Sequence, residues 1–163
     1  MRYVSNMVSV AIRDVLRTGR FGPITLGATA AEITAIIGRP PDDWDAGADR
    51  FEDAEIWKYG DLELHFAGSS CRLWLIHADT FETLDGGPIA IDPWFVRRGA
   101  RRDDVVAELR AAELDFIEDP GARPDDGVWL RFASGAKLHF EDDDGGVSRL
   151  SCLSLVDPVP RGP

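Results

Sequence analysis

The tripeptide Leu64-His65-Phe66 recurs as Leu138-His139-Phe140, and the residues around the two copies recur in the same order. Gly27, Ala28, Glu32, Ile33, Ala35 and Ile37 lie over Gly99, Ala100, Asp104, Val105, Ala107 and Leu109 at a constant offset of 72 (99 − 27). Trp57 lies over Trp129 at the same offset, the Leu-His-Phe pair follows at 74 (138 − 64), and Arg72-Leu73 lies over Arg149-Leu150 at 77 (149 − 72). The offset grows by two residues in the RFASGA hairpin and by the remainder in EDDDGG, both turn-like stretches that tolerate insertion. GPITL at 22–26 is echoed by GPIAI at 87–91. Self-similarity in this order implies one supersecondary unit built twice.

The unit can be read physically. Thr29-x-x-Glu32 is a capping box, Ile33, Ile36 and Ile37 form the buried stripe of a helix, and Gly38 and Pro40 end it. EIWKYGDLELHF then predicts a strand, a tight Gly60-Asp61 turn and a second strand, and CRLWLIHA predicts a third. The second copy predicts a helix over 101–113 and strands near 127–133, 136–141 and 147–155. The expected fold class is α+β: a tandem duplication of a helix plus an antiparallel three- to four-stranded sheet, with helices on one face and an open concave sheet on the other. Alternation directs Leu62, Leu64, Phe66, Leu138 and Phe140 toward the helices, and Asp61, Glu63, His65, Lys137, His139 and Glu141 toward the open side. Trp57 and Trp129 are expected to fill the same gap in both cores. Residues 1–79 hold an N-terminal helix and the first repeat, 80–88 a linker, 89–157 the second repeat and 158–163 a flexible tail. The N-terminal helix is read from Val4, Met7, Val8, Ala11, Val15 and Leu16 at helical spacing.

Leu26, Gly27, Thr29, Glu32, Ile33, Gly38, Pro40, Trp57 and Tyr59 together form a Leu-Gly, capped helix, Gly-x-Pro, Trp-x-Tyr pattern. It resembles the unit of the small outer-membrane lipoprotein A family and, in tandem, of the β-lactamase inhibitory protein family. The second copy keeps Gly99, Asp104, Val105 and Trp129 but lacks the Gly-x-Pro. The resemblance implies an inhibitor-like fold whose concave sheet grips a partner protein. The inhibitor family is secreted with a disulfide in each half, whereas this chain has one cysteine per half, no signal sequence and no acylatable cysteine near its start. The β-lactamase target is therefore not carried over.

The net charge is −11, with 29 acidic and 18 basic residues, which repels a phosphate backbone and favours a basic protein partner over nucleic acid. No stretch approaches the roughly 18 apolar residues of a membrane span. Cys71 and Cys152, without an export signal, predict a reduced cytoplasmic protein with two buried thiols. His65, His77 and His139 belong to no HExxH, GxSxG, Walker or GxGxxG motif, so no reaction, cofactor or metal is expected. EDDDGG reads as a hairpin turn, and Arg97, Arg98, Arg101 and Arg102, followed by Asp103 and Asp104, as a salt-bridged helix flank. Trp44, Trp74 and Trp94 have no repeated counterpart and are candidate contact anchors. With them go Asp42, Asp43 and Asp45 of the acidic loop at 40–55, and Glu63, His65 and His139 of the open face. The expected function is non-enzymatic: an inhibitor- or immunity-like protein that occludes a basic protein. A self-associating structural module, homo-oligomeric through a sheet edge, is the first alternative. A histidine-dependent enzyme is the second.

Overall fold

The computed structural model describes residues 7–68, 70–79, 82–121 and 123–157. β1 (Val8–Ala11) runs into α1 (Ile12–Thr18); α2 (Ala30–Ile37) is followed by β2 (Asp43–Trp44), a 3-10 turn (Phe51–Asp53), β3 (Ile56–Tyr59), β4 (Leu62–Phe66) and β5 (Leu73–Ala78). β6 (Ile89–Asp92) then precedes α3 (Arg102–Ala111), β7 (Ile117–Pro120), a second 3-10 turn (Pro124–Asp126), β8 (Val128–Arg131), β9 (Ala136–Asp142) and β10 (Ser148–Val156). The architecture is α+β: one eight-stranded antiparallel sheet in the order β2-β3-β4-β5-β10-β9-β8-β7, and a small parallel pair, β1 with β6. The seam of the large sheet is the β5–β10 pair, where Ala78 faces Leu153 and Leu75 faces Val156. His65 on β4 and His139 on β9 thus stand on one sheet.

Local chemistry explains the element ends. Thr29 Oγ1 accepts from the Glu32 amide and the Glu32 carboxylate accepts from the Thr29 amide at 2.7 Å, the reciprocal capping predicted for α2. Gly38 closes the helix in a left-handed conformation, φ 78°. α3 begins on Arg101, which supplies no side-chain cap. The N-terminal helix is a correction: Val8–Ala11 is a strand, and the helix covers only Ile12–Thr18. Val8 and Val10 are buried on one side while Ser9 is exposed, a period of two that helical spacing had absorbed. The expected helix start at Val4, the tail at 158–163 and the linker positions 80 and 81 lie outside the described residues. The rest of the linker is held in place, because the Asp61 amide donates to the Asp85 carbonyl at 2.7 Å and Leu84 is buried.

Cross-strand register sorts the sheet into rows, since paired residues share a face. Trp44, Trp57, Leu64, Ile76, Leu155 and Ala136 form one core row across six strands. Leu130, Leu138, Leu153 and Ala78 form another. Leu62, Phe66 and Phe140 are buried with them, and Ile33, Ile37, Val105 and Leu109 of the helices belong to the same apolar cluster. Trp57 is wholly buried, its indole N–H donating to the Phe51 carbonyl at 2.7 Å.

Trp129 is not its counterpart. Trp57 pairs with Leu64, whereas Leu130 pairs with Leu138 and Trp129 pairs with His139. Compared by these pairs, the offset is 73 at β8 (130 − 57) and 74 at β9 (138 − 64), so only one residue of difference, not two, lies in the hairpin, which has a three-residue loop where β3–β4 has two. A one-residue slip moves a side chain to the other face. Trp129 therefore stands on the polar side of the sheet.

A matching strap enters both long helices. The Gly27 amide donates to Leu73 at 2.7 Å, the Leu73 amide to Ala28 at 2.9 Å, and Arg72 Nη1 to the Gly27 carbonyl at 2.7 Å. In the other half the Gly99 amide donates to Leu150 at 2.9 Å, the Leu150 amide to Ala100 at 2.9 Å, and Arg149 Nη1 to the Gly99 carbonyl at 3.1 Å. α1 joins this second half: Ser134 Oγ donates to the Leu16 carbonyl at 2.7 Å, and Gly19, at φ 71°, lets the chain pass within contact of Ser134.

Candidate binding face

The face opposite the core rows carries two adjoining rows of different chemistry. A polar row crosses all eight strands, from Asp43 through Lys58, Glu63, His77, Ser154, Lys137 and Arg131 to Ile117. Beside it, Ile56, His65, Leu75 and Val156 pair in an apolar row across four strands, all half-buried. A register shift between His65 and Phe66 puts Trp74 into a bulge, where it is 41% exposed and 6.1 Å from the His65 ring.

Charges on this face are mixed. Lys58 Nζ lies 3.1 Å from Glu63, whose other oxygen accepts from His65 Nε2 at 3.0 Å. Burial opposes ionisation of Glu63, but these two bonds outweigh it and hold the carboxyl below its ordinary range; the same bond raises Lys58. Burial, with Arg131 alongside, lowers Lys137. Three cations thus stand among the carboxylates that the sequence emphasises.

His77 Nδ1 lies 2.8 Å from Ser154 Oγ, and His77 Nε2 lies 3.6 Å from Asp79. The Ser-His-Asp composition does not make a nucleophile. Ser154 is buried at mid-strand between β5 and β9, whose ladders occupy the surrounding β10 amides, so among the described residues no free amides converge there to receive an oxyanion. Cys152, two residues away, is also buried, which pushes its thiol up to about 11. Cys71, expected to be buried, is exposed because it sits in the turn before β5.

Toward β7 the face is roofed. The second 3-10 turn crosses over His139, whose Nε2–H donates to the Asp126 carbonyl at 2.8 Å while Nδ1 lies 2.8 Å from Ser151 Oγ. The Trp129 ring packs against the imidazole, centroids 4.3 Å apart and planes tilted by 33°. His139 thus stands opposite the core rows but is only 9% exposed, covered by the 3-10 turn. Gly127 makes the crossing possible: at φ 72°, a Cβ there would meet the Phe140 carbonyl oxygen at 2.2 Å. Next to this roof lies a cleft of about 540 Å³ containing Asp119, Asp125, Asp126, Trp129, His139 and Glu141, with Arg131 on its wall.

The predicted binding residues fall in three places. Glu63, His65 and Trp74 cluster on the open face, with Asp43 at the end of the polar row and His139 under the roof. Trp44 lies on a core row instead, its indole N–H donating to Ala48 at 3.0 Å and its ring 6.1 Å from Phe51. Asp42 accepts from Arg39 and from the Gly60 amide, and Asp45 from the Ile56 amide, so both hold the loop together. Trp94 follows β6 at φ 56°, its ring tilted against Phe95 and 5.6 Å from the Arg13 guanidinium. Leu75, Val156 and Trp129 escaped sequence reading; alternation along β5 puts Leu75 on the side of His77, whereas the other two require the pairing register. In the basic flank, Arg102 pairs with Glu118 at 2.6 Å. Asp143 of EDDDGG accepts from the Gly145 and Val147 amides and from Arg149, as a hairpin turn requires.

Among the described residues no helix is long and apolar enough to cross a membrane. Comparisons of the chain with protein families, with curated proteins and with solved structures each return no match.

Proposed function

We propose that this chain is a non-enzymatic protein-binding module that grips a basic protein on the polar side of its eight-stranded sheet. In this reading the chain is a tandem duplication with its helices on the core side. The mirrored strand order, the matching straps at Gly27 and Gly99, and the matching turns at Gly22-Pro23 and Gly87-Pro88 support that origin. The resemblance to the β-lactamase inhibitory protein family points the same way and rests on sequence motifs alone.

The observation that carries the functional reading is the apolar row Ile56, His65, Leu75 and Val156 with Trp74 beside it, bordered by charge. An apolar centre with an exposed aromatic and a polar rim is the anatomy of an interface. The charge of −11 selects a basic partner, by steering encounter more than by holding the complex.

The test is affinity capture from source-cell extract with three baits in parallel: the parent, Trp74→Ala and Trp94→Ala. A basic protein retained by the parent and by Trp94→Ala, and lost with Trp74→Ala, supports the face. Loss with Trp94→Ala alone moves the interface to the β6 region and sinks the reading. Concentration-dependent mass in light scattering, removed by Trp74→Ala, would assign the face to self-association instead.

A further inference from the structure

We infer that the cleft beside the roofed histidine is a recognition pocket for an arginine side chain presented by the partner. This rests on the protein-binding reading and names what the second half of the face would read. The cleft has an aromatic element, Trp129, which is only half-buried although it stands inside a sheet face. The His139 ring lies against its indole, centroids 4.3 Å apart and the planes tilted by 33°, so this contact restrains the indole. His139 is itself locked at Nε2 by the Asp126 carbonyl, and Gly127 holds that roof at van der Waals distance. The pocket is therefore preorganised, which lowers the entropic cost of binding.

Its charge selects the ligand. Arg131 pairs with Asp119 at 2.5 Å and neutralises it. Asp126 turns one carboxylate oxygen back to the Arg123 amide at 2.8 Å. Asp125 has no hydrogen-bond or ion-pair partner among the described residues, and Glu141 has only a 3.7 Å approach to His139 Nδ1. The cleft is thus net negative next to an indole, the combination that attracts an organic cation. A metal ion is a poor occupant, because among the described residues no three His, Cys, Asp or Glu side chains converge on one point. Between the two cationic side chains, a planar guanidinium stacks on an aromatic face and pairs with separated carboxylates, which a compact ammonium does less well. About 540 Å³ leaves room for that group and its stem.

The experiment uses the intact chain labelled with 15N at its indoles. The Trp129 resonance is assigned by its disappearance in Trp129→Phe. The probes are the blocked peptide Gly-Gly-Arg-Gly-Gly and versions with lysine or the neutral isostere citrulline in place of arginine. The arginine peptide should shift the Trp129 signal saturably, the lysine peptide more weakly, and the citrulline peptide not at all. Asp125→Asn with Glu141→Gln, both near-isosteric and exposed, should weaken the arginine peptide about tenfold, the factor that corresponds to 1.4 kcal/mol. An unshifted Trp129 signal, equal shifts with citrulline, or an unaffected double variant overturns the inference. The two readings fail separately. If Trp74→Ala abolishes partner capture while the double variant captures normally and the peptide leaves Trp129 unmoved, the face stands and the pocket falls.

Discussion

Gly127→Ala is the sharpest test of how the roof over His139 is built. At φ 72° and ψ −162°, Gly127 occupies backbone territory that L-residues avoid, at a cost of about 1–3 kcal/mol. An added Cβ would also meet Phe140 O at 2.2 Å and His139 Nε2 at 2.9 Å. The carbonyl cannot yield, since it belongs to a paired strand, so the roof must lift and the His139–Asp126 bond is lost, about 1 kcal/mol more. The expected loss is about 3 kcal/mol, which for a chain of this length lowers Tm by roughly 9 °C. Gly146→Ala is the control, because Gly146 has the same φ of 73° and nothing within 4 Å of its added Cβ. It should cost only about 1 kcal/mol, the left-handed penalty alone. Urea unfolding of both variants decides it. Equal losses would show that close approach to the strand contributes nothing and that the geometry assigned to the roof is wrong.

Three further outcomes follow from the helix ends and the thiols. Thr29→Ala should cost about 1 kcal/mol in urea unfolding, whereas Arg101→Thr should gain roughly 0.5 kcal/mol, since α3 lacks the side-chain cap that α2 has. Glu32 is held below its ordinary range by the Thr29 amide, then by the Thr29 hydroxyl. Its unfolded form takes up a proton first as pH falls, so its contribution is present above the unfolded pKa and disappears as pH drops through the lower folded one. Glu32→Gln should flatten that acid-side decline in a stability profile; an unchanged slope would sink the assignment. A thiol reagent should label one cysteine in the native chain and two in denaturant, because Cys71 is exposed while Cys152 is buried with its thiol pushed up to about 11. Two fast thiols in the native chain would contradict that placement.

What could be read in advance divides along a physical line. Alternation and capping are local, so Leu62, Leu64 and Phe66 on one side and the Thr29–Glu32 box were legible from residue order alone. Inter-strand register is not local. The Trp57–Trp129 match is made on sequence offset alone, whereas the pairing register sets Trp129 opposite His139 and not opposite Leu138, on the other face, where it lines the cleft. Short elements suffered likewise: the two-residue β2 is defined by its partner β3 and not by its own pattern, so Asp43 and Trp44 read as part of an acidic contact loop. The apolar row escaped because Leu75 and Val156 become neighbours only across the seam.

That seam also has a consequence for biogenesis. β3, β4 and β5 are joined by short connections and can form as soon as they are made, while the strand that completes them, β10, is separated from β5 by the whole stretch 79–147. Until it arrives, β5 presents an unpaired edge along Leu75, Ile76, His77 and Ala78, the residues that β10 later covers. A nascent first half is therefore a sticky half-sheet, open to pairing with another copy of itself. Closing the seam late and over a long loop is slow, so conditions that lengthen the interval, such as low temperature or a translational pause before 148, should convert the same edge that completes the eight-stranded sheet into a route to aggregation.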